Sequence, residues 1–435
     1  MNSPAKTFQI EINNRFKRAL DLMESSCNNL FITGRAGTGK STLLEYFRSV
    51  TKKKVAVLAP TGVAALNVHG QTIHSFFGFK PGITLEKVTR RSTGRGGSNV
   101  FKTLDMIIID EVSMVRADLL DCVDKFLRLN GADASLPFGG VQMVFIGDLY
   151  QLPPVVNSTE RESYESIYCS PYFYSARVFD CFEMDFIELE KVYRQQDSNF
   201  VHILNSIRDN SAEEEDLDSL NRRYIPDFEP GPEDFYIYLT TTNAMAREIN
   251  DREIAKLKTS AYILTGVVEG KFGSEYMPTS SELQVKVGAQ IMMLNNDAAG
   301  RWVNGSVGRV TAVTMQGDEA TIEAELGTGE TVRVKPFTWE ISRFYASEGA
   351  LQSEVVGSFT QYPLMLAWAV TIHKSQGKTF ENVIVDIGWG AFACGQTYVA
   401  LSRCTNIEGL VLKKPILKRH LMTDNGIRSF LAGFN

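Results

Sequence analysis

Eight residues constrain this chain more than any other stretch: Gly34-Arg35-Ala36-Gly37-Thr38-Gly39-Lys40-Ser41. They satisfy G-x-x-x-x-G-K-[ST], and their flanks fit. An apolar run, Leu30 to Thr33, predicts a strand leading in, and Leu43, Leu44 and Phe47 predict a helix leading out. Glycines in such a loop let the backbone N–H groups of Gly37, Thr38, Gly39, Lys40, Ser41 and Thr42 converge on phosphate oxygens at the positive end of the helix. In that setting Lys40 bridges the β- and γ-phosphates and the Ser41 hydroxyl binds Mg²⁺. The cofactors expected are therefore ATP and Mg²⁺, held at a strand-to-helix turn of an α/β fold.

A phosphate loop that hydrolyses its ligand needs a second metal ligand and a base. Met106-Ile107-Ile108-Ile109-Asp110-Glu111 supplies a buried-looking strand ending in two carboxylates. Asp110 is the expected Mg²⁺ ligand, and Glu111 is the expected acceptor of a proton from attacking water. An apolar strand followed by two acids is weak alone, because acids commonly cap helices. Beside a phosphate loop it gains weight.

Other classes recede on composition. Across 435 residues, 44% hydrophobic and 22% charged is ordinary for globular chains. No apolar run reaches the roughly 18 residues of a membrane helix, and Met1 to Ile10 reads as neither secretory signal nor transit peptide. Six cysteines never form a C-x-x-C pair, which argues against zinc patterns and a disulfide framework. A soluble, reduced, intracellular protein is expected. The net charge of −6 conceals an asymmetry: through Lys102 there are 16 basic against 5 acidic residues, leaving −17 for the remainder. A basic front permits a polyanionic partner, although charges that simply solvate a surface explain it as well.

Short apolar runs alternating with helix-like segments predict parallel α/β layers. The strands expected are Asn29–Thr33, Val55–Ala59, Met106–Ile109 and Val141–Ile146 in one half, then Phe182–Leu189, Phe235–Leu239, Val383–Ile387 and Leu410–Leu412. From about Gly266 to Phe359 the texture turns to β-like pieces and turns, as in a small antiparallel barrel. Thr89 to Asn99 reads as a mobile basic loop.

Four further segments complete a set: Ala59-Pro60-Thr61-Gly62-Val63-Ala64-Ala65, Gly147-Asp148-Leu149-Tyr150-Gln151-Leu152-Pro153-Pro154, Ala367 to Phe380 (AWAVTIHKSQGKTF) and Gln396 to Asn406 (QTYVALSRCTN). Together with the phosphate loop they resemble superfamily-one helicases, most closely the Pif-type branch related to RecD, in order from Gly34 to Leu412. The resemblance implies two RecA-like parallel-sheet domains with ATP between them. Residues 1–182 would form the first, with a small wedge insertion around 65–95; 183–265 and 360–435 would form the second. An SH3-like β-barrel would be inserted at 266–359. Gln151 would sense the γ-phosphate, Arg194 and Arg403 would reach in as arginine fingers, and Gly377 would lie near the same phosphate. The helix Asp118 to Leu129 would match the branch's signature region. One departure is plain: Phe16 stands where the family carries an adenine-reading Gln in its first helix, and Gln9 is the candidate to replace it.

The same resemblance implies that single-stranded DNA crosses the top of both domains. Thr61, Asn67, Thr241 and Thr242 offer short polar donors for phosphates, with His74, Phe76, His373 and Lys374 completing the candidate nucleic-acid contacts. Phe76, Phe77 and Phe79 read equally well as core, and His202 and His420 as structural. The function implied is an ATP-dependent DNA helicase moving 5′→3′, acting at single-strand/duplex junctions, monomeric in isolation and without a membrane partner. The family's settings are DNA repair, recombination and telomere maintenance, with forks, R-loops or G-quadruplexes as substrates. The location expected is cytoplasmic (nucleoid) for a bacterial or phage chain and nuclear for a eukaryotic one. Two rivals are a RecD-like translocase subunit of a larger complex and an ATP-switched binding module without unwinding.

Overall fold

A computed structural model describes residues 12–91, 100–195, 197–231, 233–317, 319–347, 350–388 and 393–434. Its first unit is built on six parallel strands: β1 (Asn29–Gly34), β2 (Val55–Ala59), β3 (Gln71–Thr72), β4 (Met106–Ile109), β5 (Gln142–Ile146) and β6 (Met184–Leu189). Their order is β3-β2-β4-β5-β1-β6. The pleat explains why these runs are apolar throughout. Phe31, Leu58, Ile107 and Phe145 face one layer, while Leu30, Ile32, Val57, Ile108 and Val144 face the other. The second layer is closed by the helices Asn14–Ser25 and Lys40–Val50, through Phe16, Ala19, Met23, Leu43, Leu44 and Phe47. The first is closed by the helix Ala117–Asn130, whose Leu120, Val123, Phe126 and Leu127 recur at helical spacing. Each such fully covered aliphatic side chain contributes about 1.5–3 kcal/mol.

Strand β6 was expected to open the second unit. It instead pairs in parallel with β1 along its whole length, so it is an edge of the first sheet. An apolar run shows that a strand is buried but not which sheet receives it. The last helix, Asn425–Ala432, also returns to the first unit. Phe430 stacks on Tyr174 at 4.4 Å, and Phe434 on Phe186 at 4.9 Å.

The second unit's sheet begins with β7 (Ile237–Thr240). The chain then leaves for a β-rich insertion: β8 (Ala261–Thr265), β9 (Val267–Gly270), β10 (Glu282–Lys286), β11 (Gln290–Met293), β12 (Val307–Gln316), β13 (Glu319–Leu326), β14 (Thr331–Val334), β15 (Phe337–Ser347), β16 (Ala350–Gln361) and β17 (Leu364–Leu366). It returns as β18 (Ala369–Thr371), β19 (Val383–Asp386) and β20 (Leu410–Leu412), giving a parallel sheet of order β18-β7-β19-β20. In the insertion, β14-β13-β12-β11-β17 form an antiparallel sheet and β8 pairs with β10. A separate three-stranded piece, β15-β16-β9, extends beyond it. The long β15/β16 hairpin was not among the expected strands, although Phe337, Trp339 and Ile341 alternate with polar residues at its start. Most of the expected basic loop, residues 92–99, lies outside the described residues, as does Gln9. Among the described residues no helix is long and apolar enough to cross a membrane.

Candidate nucleotide site and strand-binding face

At the C-terminal end of β1 the loop Gly34–Gly39 turns into the helix Lys40–Val50, the position where parallel α/β sheets bind ligands. Gly37 and Gly39 take φ of +80° and +88°. At Gly37 a Cβ would also lie 2.4 Å from the Cβ of Arg194, so only glycine admits both the turn and the close approach of the second unit. Lys40 Nζ donates to the carbonyls of Gly34 at 2.6 Å and Arg35 at 3.0 Å, holding the ammonium over the loop. Burial pulls its pKa down against the opposing charges of Asp148 and Glu111.

Around this loop a cleft of about 700 Å³ brings together Gly37, Thr38, Gly39, Lys40, Ser41, Thr42, Glu111, Gln151, Arg194, Gly377 and Arg403. Every one of these was singled out in the sequence. Asp110 sits just behind, 8% exposed at the end of β4. Burial, and then the neighbouring Glu111, push its carboxyl up to about 7. Glu111 is likewise raised by burial, against the charges of Lys40 and Arg403. A buried and a half-buried carboxyl held above their usual range, beside a serine hydroxyl at a helix start, are a donor set that fits a divalent cation. Glu111 adopts φ +50°, ψ +43°, uncommon for a non-glycine residue. That turn carries the chain out of β4 with the Glu111 side chain on the cleft.

The second unit closes the opposite wall. Arg403 is 1% exposed; its Nε donates to the Val399 carbonyl at 2.9 Å and its Nη2 to Ser402 Oγ at 2.8 Å. Burial, and then Arg194, bring its pKa down to about 9. Arg194 donates to the carbonyls of Ser402 at 3.3 Å and Gly377 at 3.4 Å. Neither guanidinium makes an ion pair among the described residues, so both stand ready for an anion.

Several further contributors have no individual role assigned from the sequence, although Gln376, Tyr398, Asp148 and Tyr150 lie within its motif segments. Gln376 Nε2 donates across the cleft to Glu111 Oε2 at 2.9 Å and to Gln151 Oε1 at 3.4 Å. The buried hydroxyl of Tyr398 accepts from the Ala36 N–H at 3.0 Å. Arg208, at the end of the helix Ser198–Arg208, donates to Asp148 Oδ1 at 3.0 Å and lies over Tyr150 at 4.3 Å. Asp148 is fully buried; burial raises its carboxyl, and Arg208 and Lys40 more than reverse this, leaving it below the usual range. Tyr193 and Thr379 line the cleft, as does Phe16, placed by the Asn13 side chain accepting from its N–H at 2.9 Å.

The candidate strand contacts do not line this cleft. Thr61 and Thr242 occupy matching turns after β2 and β7, each capping the helix that follows. Thr241 is buried, its hydroxyl 3.7 Å from Met245 Sδ, whereas Asn67 and Lys374 are exposed. His74 and His373 are half-buried, and burial lowers the pKa of both, favouring neutral rings. Phe76 does not suit the base contact expected of it. It is 5% exposed and packed edge-on between Phe77 and Phe101, so its ring has no free face. The insertion reaches this surface: Tyr276 and Thr72 hydroxyls lie 2.8 Å apart. Asn304 donates to Asn67 Oδ1 at 3.1 Å while accepting from Lys378 Nζ at 2.5 Å.

With this geometry in view, residues 10–217 match the sequence model of the PIF1-like helicase family. The chain is 31% identical to the ATP-dependent DNA helicase Pif1 of Bdellovibrio bacteriovorus over 93% of its own length and 88% of that protein's. Against human ATP-dependent DNA helicase PIF1 it is 32% identical over 88% of this chain, which spans 58% of that protein. Unliganded Pif1 from Bacteroides sp superposes with a TM-score of 0.87 at 35% identity, covering 98% of this chain and 97% of that one. Bacteroides Pif1 bound to ssDNA superposes over the same shares at 0.69 and 34%. The matching motif residues converge on one cleft between two parallel sheets, and the likeness runs nearly end to end: the chain belongs to the PIF1-like helicases, a family of ATP-dependent DNA helicases.

Proposed function

We propose that this chain uses ATP to translocate 5′→3′ on single-stranded DNA and to open duplex or structured DNA ahead of it. The observation that carries the reading is the shared cleft. Lys40, Glu111 and Gln151 follow strands of the first sheet, and Gly377 and Arg403 belong to the second unit. Arg194, in the link between β6 and the helix Ser198–Arg208, bonds to Ser402 and Gly377, so hydrolysis is tied to how the two units sit. In this reading Lys40 and the N–H groups from Gly37 to Thr42 hold the phosphates, and Ser41 and Asp110 hold Mg²⁺. The cation, when bound, offsets charge on the phosphate oxygens. Glu111 takes the proton of the attacking water, Gln151 and Gly377 face the γ-phosphate, and Arg194 and Arg403 stabilise the transferring group.

Thr61, Asn67, His74, Thr241, Thr242, His373 and Lys374 are read as the strand contacts, with caps and neutral rings suited to sequence-tolerant grip. Bacteroides Pif1 has been solved with ssDNA and, separately, with ADP-AlF4, which supports both ligands here. The higher score against the unliganded relative supports reading this arrangement as the strand-free one. The 5′→3′ polarity rests on the compact β insertion shared with the Pif-type and RecD branch. We further read the chain as two RecA-like units with an inserted β-barrel, monomeric without DNA. Loss of Arg403 is the test. Arg403→Ala is expected to lower kcat about 10³-fold or more in saturating single-stranded DNA, with a smaller effect on nucleotide affinity. Near wild-type turnover would contradict the two-unit site.

A further inference from the structure

The turn after β18 connects two surfaces that the motifs treat separately. Ser375 N donates to the Thr371 carbonyl at 3.0 Å, Gln376 N to His373 at 3.2 Å and Lys378 N to Ser375 at 3.0 Å. Lys374 N also reaches Thr371 Oγ1 at 3.3 Å. These bonds make the turn one compact body. His373 and Lys374 lie on its strand-facing side, and Gln376 reaches two residues that line the cleft. There its amide nitrogen spans both groups of the first unit that address the γ-phosphate and water, Glu111 at 2.9 Å and Gln151 at 3.4 Å. The same turn carries the fingers: Gly377 accepts from Arg194, and Lys378 accepts from Arg403 at 3.3 Å.

We propose that Gln376 is a positioning residue for hydrolysis, orienting Glu111 and Gln151 from the opposite unit and tying their alignment to strand contact at His373 and Lys374. This inference rests on the reading of Glu111 as the base. A half-buried carboxylate such as that of Glu111 has several rotamers, and one donor fixed to a single oxygen selects among them while leaving the other oxygen for water. The amide suits this task because it carries no charge to compete with the nucleotide and donates two hydrogens, one for each partner. Since the donor comes from the second unit, the alignment exists only when that turn is in register with the first sheet. A strand gripped by the turn's outer side acts on that register directly.

The test is steady-state ATP hydrolysis by the full chain with Mg²⁺ and saturating oligothymidine, using Gln376→Leu, which keeps bulk, and Gln376→Asn, which keeps the amide but shortens its reach. Both are expected to lower kcat by about tenfold to hundredfold, the cost of a misplaced catalytic group. KM for ATP and oligonucleotide affinity should stay within about twofold, since Gln376 touches neither ligand-holding group of the loop. Glu111→Gln combined with Gln376→Leu should be no slower than Glu111→Gln alone, because the two residues act as a unit. Wild-type kcat in both single variants would overturn the proposal. So would parallel losses of nucleotide and strand affinity, which mark general damage, or a double variant slowed by the product of the single effects. Robust turnover by Glu111→Gln alone would instead overturn the reading of the base, a separate failure.

Discussion

The duties proposed for Lys40 and Glu111 are separable although both residues line one cleft. Lys40→Ala should abolish hydrolysis while single-strand affinity changes little, because the proposed strand contacts do not line the nucleotide cleft. Glu111→Gln should bind ATP and Mg²⁺ and then stall, as the base is lost and the metal ligand is kept. Nucleotide titration with phosphate release reads both, and robust turnover in either would contradict these roles. Phe16 makes a different point. A phenyl ring in the cleft excludes water but reads no hydrogen-bonding edge, so ATP and GTP should differ by no more than about tenfold in kcat/KM. Phe16→Gln should sharpen the preference for ATP. Strict use of ATP by the wild-type chain would place the base-reading group elsewhere. These residues were legible because the chemistry of phosphate binding dictates both residue type and spacing. Gln376, Tyr398 and Arg208 were not: their importance comes from partners 265, 362 and 60 positions away along the chain, respectively. Phe76 reads as a strand contact and equally well as core for the same reason, since an aromatic next to a polar motif looks alike whether its face is covered or free.

Between elements, the strongest link outside the cleft is the ion pair joining the helix Ser198–Arg208 to the loop after β5. Arg208 is 5% exposed and Asp148 0%, with both Nε and Nη2 of the arginine on Oδ1. Removing one partner of such a pair strands a buried charge. Arg208→Met is therefore expected to lower stability by about 3–5 kcal/mol, measured by denaturant unfolding. The pH dependence follows from the sign of the shift. Asp148 titrates below its unfolded value of 3.8 in the folded chain. Its contribution is thus fully present above that value and is lost as pH falls through the lower folded pKa. Asp148→Asn should flatten this acid limb of the stability curve, and an unchanged limb would contradict the pairing. At this scale the sequence showed which runs are strands, because buried parallel strands must be apolar on both faces. It did not show that β6 joins β1, since sheet membership depends on where the following chain can return. Nor did it show the β15/β16 hairpin, whose Trp339, Ile341 and Phe359 are buried while Arg343, Tyr345, Glu354 and Val355 further along are exposed.

Across the molecule, two connections hold the units together while leaving the cleft open to change. The last helix straps the second unit's chain end onto the first unit through Phe430 and Phe434. The insertion bridges Asn67 of the first unit and Lys378 of the second through Asn304. A nucleotide drawing Arg194 and Arg403 towards Lys40 would shift one sheet against the other, with the strand contacts carried along on both. Polarity then depends on which unit grips more tightly in each state, a difference of free energies rather than a motif. Strand displacement on 5′-tailed, 3′-tailed and blunt duplexes, with and without ATP and Mg²⁺, tests this account most directly. The expected result is opening of the 5′-tailed duplex alone, and only with both cofactors present. Preferential opening of the 3′-tailed duplex, or strand-stimulated hydrolysis that opens none of the three, would contradict it.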